Sequence, residues 1–242
     1  MSLDDKRILV VGGGSGIGFA VAEAALAAGA QVVIASSNAT KTAAAAARLG
    51  NRASAAELDV TREDKVAAFF ANNASFDHIA FTAGDWGGPR RAPLAELDLD
   101  QAAALFKVRF WGAVAVAKHG AARLSSGGSL TLTDGMIAHR PQKASAISTA
   151  MCGAVEHLTR ALAVELAPVR VNAVCPGLIR TGIWDSIPEE RREAQLTEMT
   201  KRQLLPRPGE PRETAEAYLY LMRGSYTTGQ VLYVEGGRAL TS

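Results

Sequence analysis

The sequence is short of cysteine and tyrosine, carries no excess of charge of either sign, and has no long apolar run. Its 242 residues hold two cysteines, Cys152 and Cys175, both in apolar contexts. Two such thiols make neither a disulfide framework nor a thiolate metal centre. His78, His119 and His157 stand at no metal-ligand spacing, so no metal is expected. The formal net charge is +2 with no basic block, which argues against a nucleic-acid partner. No apolar stretch nears the ~20 residues of a membrane-spanning helix. The start, Met1-Ser2-Leu3-Asp4-Asp5-Lys6-Arg7, is too charged for a signal peptide. A soluble, cytoplasmic protein is the expectation. The four tyrosines are Tyr218, Tyr220, Tyr226 and Tyr233, so none serves the greater part of the chain.

Glycine is where the information lies. The run Ile8-Leu9-Val10-Val11 is short and β-branched, as a buried strand would be, and it ends in Gly12-Gly13-Gly14-Ser15-Gly16-Ile17-Gly18. Glycine lets the backbone turn sharply and approach a ligand closely. A helical pattern follows at once, and its first unpaired N–H groups suit a phosphate. Further along, strands are expected at 31–35, 53–58, 76–81, 129–133, 169–174 and 230–234. Helices are expected at 16–29, 40–49, 62–72, 101–124, 144–167, 185–201 and 211–222, with a Gly- and Pro-rich loop at 84–93. Alternating strands and helices imply a parallel sheet covered on both faces, an α/β fold without a linker to divide it.

These stretches resemble the short-chain dehydrogenase/reductase family. The glycines fall as Gly12-x-x-x-Gly16-x-Gly18. Asp59-Val60 looks like the family's adenine-contacting pair, and Thr82-Ala83-Gly84 its Asn-Ala-Gly motif with Thr for Asn. Leu158 to Ala167 is similar to its long helix, and Arg170-Val171-Asn172-Ala173-Val174-Cys175-Pro176-Gly177 to its strand and Pro-Gly turn. Thr228-Gly229-Gln230 and Val234-Glu235-Gly236-Gly237 match its C-terminal signature, with Glu for Asp. The resemblance implies one three-layer Rossmann domain, a doubly wound parallel seven-stranded sheet in the order 3-2-1-4-5-6-7, and a homodimer or homotetramer built on the two long helices. It implies a nicotinamide dinucleotide held by Gly12, Gly14, Ser15, Gly16, Ile17, Gly18, Asp59, Val60, Ala83, Gly84, Pro176, Gly177, Ile179 and Thr181. It also implies a substrate lid at 185–205. After the second strand come Ser36, Ser37 and Asn38 with Lys41 close by, and no carboxylate to hold a ribose 2′-hydroxyl. NADP(H) is therefore expected over NAD(H).

The pattern breaks at the chemistry. The family needs Tyr-x-x-x-Lys on the helix before Leu158-Thr159-Arg160. Counting back without gaps puts that Tyr at Ser148 and that Lys at Cys152. The family's Ser falls at Asp134 in Thr133-Asp134-Gly135, and its Asn at Arg109. An ionised Asp134 cannot donate to a carbonyl oxygen. A salt bridge between Arg109 and Asp134 would account for both changes. His139, Arg140 and Lys143 lie in the loop before the helix as candidate substitutes for the acid, and Trp86, Trp111 and Trp184 as candidate pocket walls. Two functions follow from the resemblance and its gaps. One is an NADP(H)-dependent oxidoreductase of a carbonyl/alcohol pair with altered or weak catalysis. The other is a catalytically inactive dinucleotide-binding sensor or assembly protein.

Overall fold

The computed structural model of the chain describes residues 2–84 and 92–241. Its strands are β1 (Arg7–Val11), β2 (Gln31–Ser36), β3 (Ala53–Glu57), β4 (Phe76–Phe81), β5 (Leu124–Thr133), β6 (Arg170–Pro176) and β7 (Val231–Val234). Its helices are α1 (Gly16–Ala27), α2 (Ala39–Leu49), α3 (Glu63–Asn72), α4 (Leu99–Phe106), α5 (Gly112–Gly120), α6 (Ala146–Glu165), α7 (Glu189–Thr200) and α8 (Pro211–Arg223). The described strands form one parallel sheet in the order β3-β2-β1-β4-β5-β6-β7. The order reverses between β1 and β4, and in open α/β sheets ligands bind at the carboxyl ends of the strands beside such a switch point.

Both faces of the sheet are buried, which is why β1 reads as a continuous apolar run instead of an alternation. Leu9 and Val11 point to one core with Phe69, Phe70, Phe81, Val116 and Val155; Ile8 and Val10 point to the other with Val21, Leu26, Leu219 and Met222. The helices pack accordingly, α3 to α6 on the first face and α1, α2 and α8 on the second. Each fully buried Leu or Ile side chain contributes about 1.5–3 kcal/mol.

Two boundaries differ from the sequence reading. The expected helix 101–124 is three pieces: α4, a π-turn at Lys107–Trp111, then α5. Its last residue, Leu124, opens β5 instead, pairing with Phe76 before the register shifts through Gly127 and Gly128. Gly127 sits at φ 77, so Ser125 to Gly128 is an irregularity within a strand where a helix breaker was expected. The π-turn matters because Arg109 lies in it, and single-turn π segments often aim a residue at a functional site.

Candidate active site

The carboxyl ends of the central strands open onto a cleft of about 1270 Å³. That exceeds the ~300–1,000 Å³ of an ordinary small-molecule pocket, and it has the length for a dinucleotide and a second molecule.

At one end, β1 runs into the glycine turn. Gly12 sits at φ 90, and a Cβ there would lie 2.6 Å from the main-chain nitrogen of Ala83. A Cβ on Gly18 would lie 2.4 Å from the Gly12 carbonyl oxygen and from Thr82 Oγ1. The turn therefore lies flat against the end of β4 because two side chains are missing. Gly14, Ser15, Gly16 and Ile17 line the cleft beside them. Ser15 is the N-cap of α1, yet its side chain makes no capping bond. The first-turn N–H groups thus lack a side-chain acceptor, and a phosphate supplies one.

The next wall is Ser36, Ser37, Asn38 and Lys41. Asn38 has a structural duty as well: its Oδ1 accepts from the Lys41 N–H at 2.8 Å and caps α2. Asp59 and Val60 lie opposite. Asp59 Oδ1 accepts from Thr61 N at 2.9 Å and from Thr61 Oγ1 at 2.7 Å, so its charge is engaged in its own turn. Thr82, standing for Asn, donates to the Val11 carbonyl at 2.9 Å and ties β4 to β1. Ala83 and Gly84 continue this wall, and Pro176, Gly177, Ile179 and Thr181 form the one facing it. The structure thus brings every residue named for the dinucleotide onto one surface.

The other end differs from expectation. Ser148 lines the cleft and donates to the Ser145 carbonyl at 3.1 Å. Cys152, one turn on, is 1% exposed and belongs to the core; burial pushes its thiol up to about 11. It is no nucleophile at neutral pH. Arg109 borders the cleft and donates to the carbonyl oxygen of Asp134 at 2.6 Å. The expected Arg109–Asp134 salt bridge is not formed: both carboxyl oxygens of Asp134 are buried without a hydrogen-bond partner. They face Glu156 and Cys175 instead. Burial first, and the Glu156 carboxylate next, raise the pKa of Asp134 and keep its proton on. Asp134 points under α6, whereas a Cβ on the next residue, Gly135, would stand 3.3 Å from Cys152 Sγ. Asp134 lines the cleft and sets its carboxyl against Glu156 and Cys175, and Gly135 lies beside Cys152.

Of the loop candidates, Arg140 reaches the cleft, while Lys143 is not on its wall. His139 turns away to Glu156 and to Tyr233 Oη, 3.0 Å off. Trp184 lines the cleft, fixed by its indole N–H on the Ile179 carbonyl at 2.7 Å. Trp111 is 60% exposed and outside it, and Trp86 lies outside the described residues. No tyrosine lines the cleft among the described residues. Tyr218 is buried on α8, hydrogen-bonded to Thr133. Sequence reasoning missed Gln142, Met151 and Arg238, which line the cleft, while Gln195 and Met199 come from the stretch 185–205 expected as a lid. Arg238 had a usable signal: it follows Gly237, at φ 76, which turns the chain back onto the cleft.

The comparisons agree with this geometry. Residues 12–239 match the family described as Enoyl-(Acyl carrier protein) reductase. Short-chain dehydrogenase/reductase malC from Malbranchea aurantiaca is 34% identical, covering 98% of this chain and 96% of its own. The solved structure of MalC Reductase/Diels-Alderase from that organism superposes with a TM-score of 0.90 at 34% identity, over 98% of each chain. A small-chain dehydrogenase in complex with NADPH superposes with a TM-score of 0.84 at 33% identity, over 98% of this chain and 100% of that one.

Proposed function

The chain belongs to the short-chain dehydrogenase/reductase family of oxidoreductases, and on that premise we propose that it binds NADP(H) and moves hydride on a carbonyl/alcohol pair only slowly. The observation that carries this reading is a contrast within one cleft. Its phosphate and ribose walls are complete, while the acid's place on α6 holds Ser148 and a buried Cys152.

NADP(H), when bound, supplies the hydride. The residues present fit it. The glycine turn leaves N–H donors for the diphosphate. Ser36, Ser37 and Lys41 offer hydroxyl donors and a cation where a 2′-phosphate would lie, and no carboxylate opposes it there. The NADPH carried by the small-chain dehydrogenase supports the same choice. At the reacting end, Ser148 offers only a hydroxyl, and Asp134 sets its carboxyl against Glu156 and Cys175, so no tyrosine–lysine pair is there to supply the proton. Losing a positioned acid costs ~10²–10⁴-fold in rate. A purely binding role is favoured by the same wall, and slow turnover shades into it.

Calorimetric titration with NADPH and NADH tests the binding half. The expected result is tighter binding of NADPH, by tenfold or more for a 2′-phosphate in charge-assisted bonds, about 1.4 kcal/mol. Equal or tighter binding of NADH contradicts it.

A further inference from the structure

Behind the cleft, four elements bring four ligand-type side chains together. Asp134 comes from the end of β5, His139 from the turn after it, Glu156 from the middle of α6, and Cys175 from the end of β6. One donor atom from each lies within 4.8 Å of all the others. Asp134, Glu156 and Cys175 are buried, and His139 reaches solvent. Asp134 is 0% exposed, and neither of its oxygens has a hydrogen-bond partner. An unpaired carboxyl is costly to bury, and here a second carboxyl stands against it. Glu156 is held by His139 and, at 3.7 Å, by Arg160, so the orphaned oxygens belong to Asp134 alone within this group. Of the four, Asp134 also lines the cleft, and the proposed function uses none of their side chains.

We propose that Asp134, His139, Glu156 and Cys175 form a site for a divalent transition-metal ion of zinc type. The donor set decides the metal. One thiolate, one imidazole nitrogen and two carboxylate oxygens suit zinc or cobalt, whereas magnesium and calcium take oxygen alone. Geometry agrees. An ion ~2.0–2.3 Å from four tetrahedral donors sets them roughly 3.3–3.8 Å apart, so the present group needs only a small closure by side-chain rotation. The ion would take one or both Asp134 oxygens as ligands, in place of the proton that Asp134 carries against the Glu156 carboxylate. His139 provides the entry path, and Tyr233 Oη, 3.0 Å from its Nε2, stands over it. The ion would clamp β5 and β6 to α6, directly behind Ser148 and Gly135.

The test uses the full-length, reduced, chelator-stripped protein titrated with cobalt(II). The expected result is one cobalt per chain, with intense visible bands of a tetrahedral ion and a near-ultraviolet thiolate-to-cobalt band, all displaced by zinc. Zinc at ~100 times its Kd should raise Tm by roughly 5–10 °C. Cys175→Ala should abolish the thiolate band. His139→Ala, at an exposed position where folding is not at stake, should weaken binding by about 100-fold. A spectrum no different from free cobalt together with an unchanged Tm would overturn the proposal. Tetrahedral bands of full strength in both His139→Ala and Cys175→Ala would overturn it too, since the ion would then sit elsewhere.

Discussion

At the scale of single residues, the site turns on where one side chain points. Asp134 was legible as the residue near the family's Ser, but its direction was not. The chain after β5 delivers Asp134 to Glu156 and Cys175, and leaves Gly135 beside Cys152. Ser148→Tyr alone should leave NADPH turnover unchanged, because a phenol keeps a pKa near 10 without a neighbouring lysine. Ser148→Tyr with Cys152→Lys and Asp134→Ser should raise it by ~10²-fold or more, since groups that act as a unit are strongly non-additive. Steady-state rates of the single and triple variants check this, and a large gain from Ser148→Tyr alone would contradict it. The four residues of the metal proposal were illegible for a related reason. They are spread between positions 134 and 175 with no ligand spacing, and only the packing of α6 on β5 and β6 brings them together.

His78 gives a residue-scale prediction for stability. It is buried on β4 with Nδ1 2.9 Å from Ser129 Oγ. Burial first, and Arg170 next, push its pKa down to about 4. The folded pKa lies below the unfolded value of ~6.5. The neutral ring's stabilisation is therefore complete above pH ~6.5 and is lost as pH falls through about 4. Between pH 7.5 and 4.5 this one group should remove about 2–3 kcal/mol. Urea unfolding of the wild type and His78→Gln at the two pH values checks it, the variant showing the smaller loss. Equal losses in both would contradict the assignment.

At the scale of elements, most of the sheet was readable and the long central helix was not. Apolar runs ending in turn residues marked the inner strands such as β1, β2 and β4, because strands buried on both faces leave a continuous apolar signature, whereas the edge strand β3 is largely exposed and gave a weaker one. Residues 101–124 have helical periodicity throughout, and nothing local in that pattern announces a π-turn at Lys107–Trp111. Its causes are tertiary: Arg109 reaches the carbonyl of Asp134, and Gly112 lies where a Cβ would be 2.7 Å from Val60. The β1–α1 turn is the opposite case, where sequence and structure give one reason. Gly12 needs φ 90 and has main chain of Ala83 where a Cβ would go. Gly12→Ala should cost roughly 2–4 kcal/mol from strain and forced displacement, and should abolish dinucleotide binding. Thermal melts with and without NADPH check it. A variant that melts like the wild type and is still stabilised by NADPH would contradict the role given to this turn.

At the scale of the whole molecule, the fold places the residues proposed for the dinucleotide and those proposed for the reacting end in one cleft. The fold fixes where a ligand sits, and the site residues decide what happens there. The cofactor wall was legible because it is built from backbone turns, and turns leave glycine in the sequence. The reacting end was legible only as an absence, the missing Tyr and Lys on α6. What stands in its place, including Arg140, Met151 and Arg238, is assembled from distant loops. No described helix is long and apolar enough to cross a membrane.

The central claim is that hydride transfer has lost its positioned acid while the cofactor surface remains. The most direct test is the steady-state rate of NADPH oxidation by the wild type at pH 7, over a panel of aldehydes and ketones, with NADPH saturating. Typical enzymes turn over at about 10 s⁻¹, and loss of the acid takes ~10²–10⁴ from that. The account predicts rates of roughly 10⁻³–10⁻¹ s⁻¹ or lower for every member of the panel. A rate on the order of 1 s⁻¹ or faster with any simple carbonyl would contradict it, and would mean that another group supplies the proton.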